Sequence, residues 1–132
     1  MKNITNFTKC LTDETRLRIL RLLSKQEMCV CEMVEVLRVP QARISQHLLR
    51  LRNEGLVEYS REGQWVIYSL NAKALRKKMK GLKKFFFADP EKDGIMAEEF
   101  ARLASLERRT FMSEKTDRQE PPEEALADKP YA

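Results

Sequence analysis

Val30-Cys31-Glu32-Met33-Val34-Glu35-Val36-Leu37-Arg38-Val39-Pro40-Gln41-Ala42-Arg43-Ile44-Ser45-Gln46-His47-Leu48-Leu49-Arg50-Leu51-Arg52-Asn53 holds two helical patterns divided by a stop. Val30, Met33, Val34 and Leu37 follow the i, i+3, i+4, i+7 spacing of an amphipathic helix. Arg38-Val39-Pro40 ends it, because a residue before proline avoids helical backbone. A second helix is then expected from about Gln41 to Asn53, with Ile44, Leu48 and Leu51 inward. Gly55 supplies the left-handed stop, and Leu56 folds back onto the last turn. Two short helices joined by a tight turn are a helix-turn-helix.

The flanks extend this frame. Upstream, a short, weakly amphipathic helix is expected over Asn3 to Cys10. Thr12 or Asp13 then caps a helix from about Glu14 to Ser24, with Leu17, Leu20, Leu23 and Ile19 inward. Downstream, Val57 and Tyr59 alternate with polar residues, and Trp65-Val66-Ile67-Tyr68 is β-branched and aromatic. Arg61-Glu62-Gly63-Gln64 between them signals a turn, so a two-stranded hairpin is expected. A lysine-dense helix follows from about Ala72 toward Phe87. Asp89-Pro90-Glu91-Lys92-Asp93-Gly94 breaks it, and a last helix is expected over about Ile95 to Phe111. Its apolar set is Phe100, Leu103, Ala104 and Leu106. The fold class is therefore mainly α with a small β-hairpin, a winged helix-turn-helix. Residues 1–88 form the principal domain and 89–113 an additional helical segment without a functional assignment. The polar, proline-bearing stretch 114–132 is expected to be disordered.

Bulk properties narrow the function. The 132 residues suit one small domain. The net charge of +5 hides an asymmetry: Met1 to Ala88 carries 18 Lys+Arg against 8 Asp+Glu, and Asp89 to Ala132 carries 7 against 12. A basic body suggests a polyanionic partner, although basic side chains also merely solubilise. No apolar run is long enough to span a membrane, and the start lacks a secretory pattern, so a cytoplasmic protein is expected. There the three cysteines, Cys10, Cys29 and Cys31, should stay reduced and serve metal or redox chemistry.

An α-helix fits the major groove, and its N-terminal exposed residues reach base edges. Gln41, Ala42, Arg43, Ser45, Gln46 and His47 occupy that position, with Arg50 further along. Arg61 and Gln64 stand at the wing tip, where a phosphate or minor groove would lie. A polar surface helix, or a wing that binds protein, is the competing reading. His47, the single histidine, is read more readily as a hydrogen-bonded side chain than as a metal ligand.

Leu11-Thr12-Asp13-Glu14-Thr15-Arg16-Leu17-Arg18-Ile19-Leu20, Cys29-Val30-Cys31-Glu32, Ile44-Ser45-Gln46-His47-Leu48 and Leu51-Arg52-Asn53-Glu54-Gly55-Leu56-Val57 together resemble the ArsR/SmtB family of bacterial metal-responsive repressors. The resemblance runs from about Phe7 to Leu75. It implies a homodimer formed through the terminal helices, which binds palindromic double-stranded operator DNA and lets go when ligand binds. The seam would come from Leu75, Met79, Leu82 and Phe86, which can equally be intrachain core. DNA binding would need no cofactor. The Cys-Val-Cys motif implies an arsenic or heavy-metal box, with As(III), Sb(III), Cd(II) or Pb(II) as inducer.

Arsenic-sensing relatives often carry a third cysteine three residues after the second. Val34 stands there, leaving Cys10 as the candidate third sulfur. Its alternative is a buried small hydrophobe. In a regular helix, residues i and i+2 point about 200° apart. Cys29 must therefore precede the helix, or ligand binding must unwind its first turn. Glu32 is more readily a helix-start carboxylate than a ligand, and Met28 and Met33 are core filler. Leu75 to Phe87 contains no histidine or acid, which speaks against a zinc-type site there. Without a third sulfur, the pair suits an organoarsenical or a redox or persulfide switch. No Cys-x-x-Cys in a βαβ context and no phosphate loop appears, so an enzyme is not expected.

Overall fold

The computed structural model describes residues 1–106, in two compact units, one of Met1–Lys83 and one beginning at Lys84. The first unit holds the helix-turn-helix and its wing. Helix α1 (Lys2–Cys10) buries Phe7 and Cys10, a deeper seat than its weak pattern suggested. Helix α2 (Glu14–Leu23) starts at Asp13, whose carboxylate accepts the Arg16 backbone N–H at 3.1 Å. Its buried side chains are Ile19, Leu20 and Leu23. Leu17, expected inward, is 48% exposed. At about 100° per residue it lies some 160° round the helix from Ile19, so the two cannot share the core face.

Strand β1 (Met28–Cys29) was not expected from the sequence. It leads directly into α3 (Val30–Leu37) and then α4 (Gln41–Asn53), both with the expected limits. Arg38 takes a left-handed backbone (φ 55) to end α3, and Pro40 opens α4. Met33, Ile44, Leu48 and Leu51 are almost completely buried, and Val30, Val34 and Leu37 pack against them. After α4, the Leu56 N–H reaches the Leu51 carbonyl (2.9 Å) and the Gly55 N–H reaches that of Arg52 (2.9 Å). This paired closure requires the left-handed φ of 78° that Gly55 supplies.

The wing is the hairpin of β2 (Val57–Glu62) and β3 (Trp65–Leu70), in register from Val57↔Leu70 to Glu62↔Trp65. Gly63, with φ 62°, opens its two-residue turn. Strand β1 pairs with the other edge of β3, so the sheet has three antiparallel strands in the order β1-β3-β2. Asn71 then caps α5 (Ala72–Phe87), accepting the Ala74 N–H at 3.1 Å. The apolar stripe expected on α5 divides. Leu75 and Leu82 pack on the core, whereas Met79 and Phe86 are 48% and 63% exposed.

In the second unit, helix α6 (Ala97–Ala104) is shorter than expected. Met96 adopts φ 62°, and Asp93 accepts the Ile95 N–H at 2.9 Å, so Ile95 and Met96 belong to the turn. Phe100 is half-buried, while Leu103 is 57% exposed. The expected helix beyond Leu106 and the expected disordered stretch 114–132 lie outside the described residues. No described helix is long and apolar enough to cross a membrane.

Candidate nucleic-acid interface and thiol site

The core stripe of α4 dictates what the helix presents outward. With Ile44, Leu48 and Leu51 buried, Gln41, Ala42, Arg43, Ser45, Gln46 and Arg50 are all exposed. Arg61 and Gln64 are exposed on the wing, at and beside its turn. Amide and guanidinium groups on the first turns of such a helix match adenine and guanine edges in the major groove. Arg52 is engaged elsewhere: its guanidinium stacks 4.3 Å over the Tyr59 ring and ties α4 to β2.

His47 does not join that outward row. Its Nδ1 lies 3.2 Å from Arg16 Nη1, and its Nε2 lies 3.7 Å from the Asp13 carboxylate, with 14% of the side chain exposed. Arginine only donates, so Nδ1 accepts and the ring proton sits on Nε2, facing Asp13. The same Arg16 donates through Nε to the Cys10 carbonyl (2.7 Å) and through Nη2 to the Lys9 carbonyl (3.3 Å). One guanidinium thus closes the end of α1, sits in the first turn of α2 and holds α4. The Asp13 carboxyl is held below the ordinary aspartate value, first by the Arg16 backbone N–H and further by the nearby Arg16 charge. Sequence reading isolated His47 and the Asp13 cap but missed Arg16. The separation of 31 positions between Arg16 and His47 leaves no periodic signal.

The thiol site departs from the expectation of three reduced cysteines. Cys29 and Cys31 are joined as a disulfide, with Cα atoms 5.5 Å apart, and Cys10 is free and buried. The backbone explains the pairing. Cys29 is extended (φ −85, ψ 166) at the cap of α3, so its side chain swings round to meet Cys31 in the first turn. Of the two expected ways to bring these sulfurs together, the first holds: Cys29 precedes the helix. Cys29 is buried and Cys31 exposed, so the pair opens to solvent on one side. Glu32 is the helix-start carboxylate, its Oε1 accepting the Cys29 N–H at 3.0 Å. Met28 and Met33 are core, as expected.

Cys10 sits in the core cluster, and burial pushes its thiol pKa up. Among the described residues, no three His, Cys, Asp or Glu side chains of one chain gather as a metal site.

Residues 13–59 match the family model described as bacterial regulatory protein, arsR family. A structure of HlyU from Vibrio cholerae is 32% identical, with a TM-score of 0.54, over 64% of this chain and 92% of that one. The chain belongs to the arsR family. An ArsR-like transcriptional regulator from Rhodococcus sp. RHA1 is 27% identical with a TM-score of 0.59, covering 81% of this chain and 92% of that one. Arsenic resistance transcriptional regulator ArsR1 of Pseudomonas putida is 45% identical over 64 residues, which are 48% of this chain and 50% of that protein. This arsR-family chain spans about half the length of the first curated relatives it matches. These relatives are named as regulators of transcription, in line with the expectation that the chain is not an enzyme.

Proposed function

We propose that this chain is a metalloid- or heavy-metal-responsive transcriptional repressor of the cytoplasm. In this reading a homodimer binds palindromic operator DNA through Gln41, Ala42, Arg43, Ser45, Gln46 and Arg50, with Arg61 and Gln64 at the wing. His47 serves that surface from behind, by holding α4 to Arg16. Met79 and Phe86, left uncovered beside the core-packed Leu75 and Leu82, support a dimer seam on α5. A two-fold axis doubles the base contacts and matches a palindrome.

The inducer is As(III) or a similar thiophilic ion, taken by Cys29 and Cys31 as thiolates. The disulfide must first be reduced: two equivalents of a small thiol give the dithiol and their own disulfide by two exchange steps. Arsenous acid then forms two S–As bonds and loses two waters. Cys10 is the candidate third sulfur, and its burial in the core means that α1 must open before it can bind. The observation that carries this reading is the dual membership of Cys29. It is the cap of α3 and also the β1 residue paired with Ile67 of the wing. An ion that draws Cys29 and Cys31 into its own geometry therefore strains the helix packed on the reader and the wing together. That preference for the distorted state lowers DNA affinity.

Fluorescence anisotropy on the duplex upstream of the chain's own gene, with a small thiol present, tests this. Arsenite should release the wild type, whereas Cys29→Ser should bind equally well and stay bound. Release of Cys29→Ser at the same dose overturns the site. A thiol-redox repressor is the second reading, favoured by the disulfide itself. It requires peroxide without arsenite to change operator occupancy, and a small thiol to restore it.

A further inference from the structure

Within the first unit, α5 presents a charged face that the proposed reader does not use. Lys73, Arg76, Lys77, Lys80 and Lys83 are all exposed, and α5 contains no acidic residue. At about 100° per residue these five fall within an arc of roughly 120°. The arc is centred away from the side bearing Leu75 and Leu82, which pack on the core. Lys78, on the other side of the helix, is the α5 cation that forms an ion pair among the described residues, at 3.0 Å from Glu54. The five arc cations have no such partner there. At 1.5 Å per residue they extend over about 15 Å, the length in which one strand of duplex carries about four phosphates.

We infer that this arc of α5 is a second polyanion site, which takes the phosphate backbone of a double-stranded nucleic acid without reading its sequence. Two observations choose this partner over an anionic membrane. A helix that lies in a bilayer interface must bury its apolar face there; within the first unit Leu75 and Leu82 pack on the core, and the exposed Met79 lies outside the arc, on the proposed dimer seam. The cations also line about 15 Å of one helix face, a length matched to a run of about four duplex phosphates.

The arc stands apart from the residues of α4 proposed to read DNA, so the duplex assigned to it is a second one in this inference. The Lys78–Glu54 contact places α5 against the C-terminal cap of α4, about 20 Å along that helix from Gln41. The arc residues are exposed there. A chain held on one duplex by α4 thereby captures a second, and the protein bridges DNA.

The test uses the full chain and a five-site variant, Lys73→Gln, Arg76→Gln, Lys77→Gln, Lys80→Gln and Lys83→Gln. Both are checked by circular dichroism for equal helix content. Protein is loaded on an immobilised duplex from upstream of its gene, washed, and offered a fluorescent random-sequence 30-mer duplex. The wild type should capture the second duplex, and the variant should remain on the first while losing at least 10-fold in capture. In solution, the slope of log K against log salt for the random duplex should be shallower in the variant by about 3 to 4, the value for four phosphates. Equal capture and equal slopes in the two proteins overturn the inference and leave the arc a solvated face. Preference of the wild type for phosphatidylserine vesicles over the random duplex overturns it in favour of a membrane.

The solution measurement is repeated on Arg43→Ala/Gln46→Ala, which disables the proposed reader. The slope difference persists there if the arc acts on its own. It therefore distinguishes failure of the arc from failure of the operator reading.

Discussion

Removing the Arg16 guanidinium should uncouple three helices at once, and a double-mutant cycle with His47 measures how much of that passes to α4. Arg16→Met keeps most of the apolar stem but abandons the Cys10 carbonyl (2.7 Å), the Lys9 carbonyl (3.3 Å) and His47 Nδ1 (3.2 Å). The short, part-buried bond to Cys10 is charge-assisted, and such bonds contribute about 1.5–3 kcal/mol. The positive charge at the end of α1 adds about 0.3–1 kcal/mol through the helix dipole. The longer contacts to Lys9 and His47 add less, so the expected loss is about 2–4 kcal/mol. In a unit of this size each kcal/mol lowers the melting temperature by about 4–8 °C.

His47→Leu breaks the same contact from the other side and should cost about 1–2 kcal/mol, including its approach to Asp13. If Arg16 and His47 act as one junction, the double variant falls short of additivity by about 0.5–1.5 kcal/mol. Urea unfolding followed by circular dichroism supplies all four corners. His47→Asn gives the conservative control, since its amide oxygen replaces the accepting Nδ1 and should recover part of the loss. A coupling energy within about 0.3 kcal/mol of zero would mean that the Arg16–His47 contact carries no energy.

Three further outcomes follow from single positions. Gly55→Ala should cost about 1–2 kcal/mol in urea melts, because φ is 78° while nothing lies within 4 Å of the added Cβ, so the backbone term stands alone. Cys10, whose folded pKa is raised, stabilises fully below the unfolded thiol value of about 8.5 and loses that contribution as pH rises through its folded value. Cys10→Ala should therefore flatten the alkaline limb of stability against pH, and native Cys10 should resist iodoacetamide until the protein is unfolded. Asp13, whose folded pKa is lowered, stabilises above about pH 3.9 and ceases to as pH falls through its folded value. Asp13→Asn keeps the cap but should remove that part of the acid transition in a pH titration of stability.

The sequence made the helix-turn-helix legible because its boundaries are written in residues with few backbone options. Pro40 fixes the start of α4, and Gly55 fixes the return of Leu56 to Leu51. Leu17 misled because spacing of three drifts by about 60° per step, so the match with Leu20 and Leu23 was nominal. Met96 misled because an apolar side chain says nothing of a left-handed backbone. Strand β1 has two residues, too few to show alternation. The Arg16–His47 contact depends on how α2 crosses α4, which no local pattern encodes.

The unforeseen strand matters most for the proposed mechanism. From the sequence, the cysteine pair could act on DNA only through α3 and the packing behind the reader. The structure adds a second connection, because Met28 and Cys29 pair with Tyr68 and Ile67, and those same β3 residues pair with Tyr59 and Ser60 of β2. Backbone hydrogen bonds therefore run from the sulfur-bearing residue across the sheet toward Arg61. The α3 route bears on Gln41 to Gln46, while the sheet route bears on the wing. They make different demands on a variant. Met28→Pro would withdraw a ladder N–H from β1 but also remove a buried side chain, so Met28→Ala, which keeps the N–H, is the packing control. If arsenite still releases Met28→Pro from DNA while losing its effect on the wing, read by a fluorophore at Gln64, the helix alone carries the signal. If release is lost while arsenite capture persists, the sheet is the transmitting element.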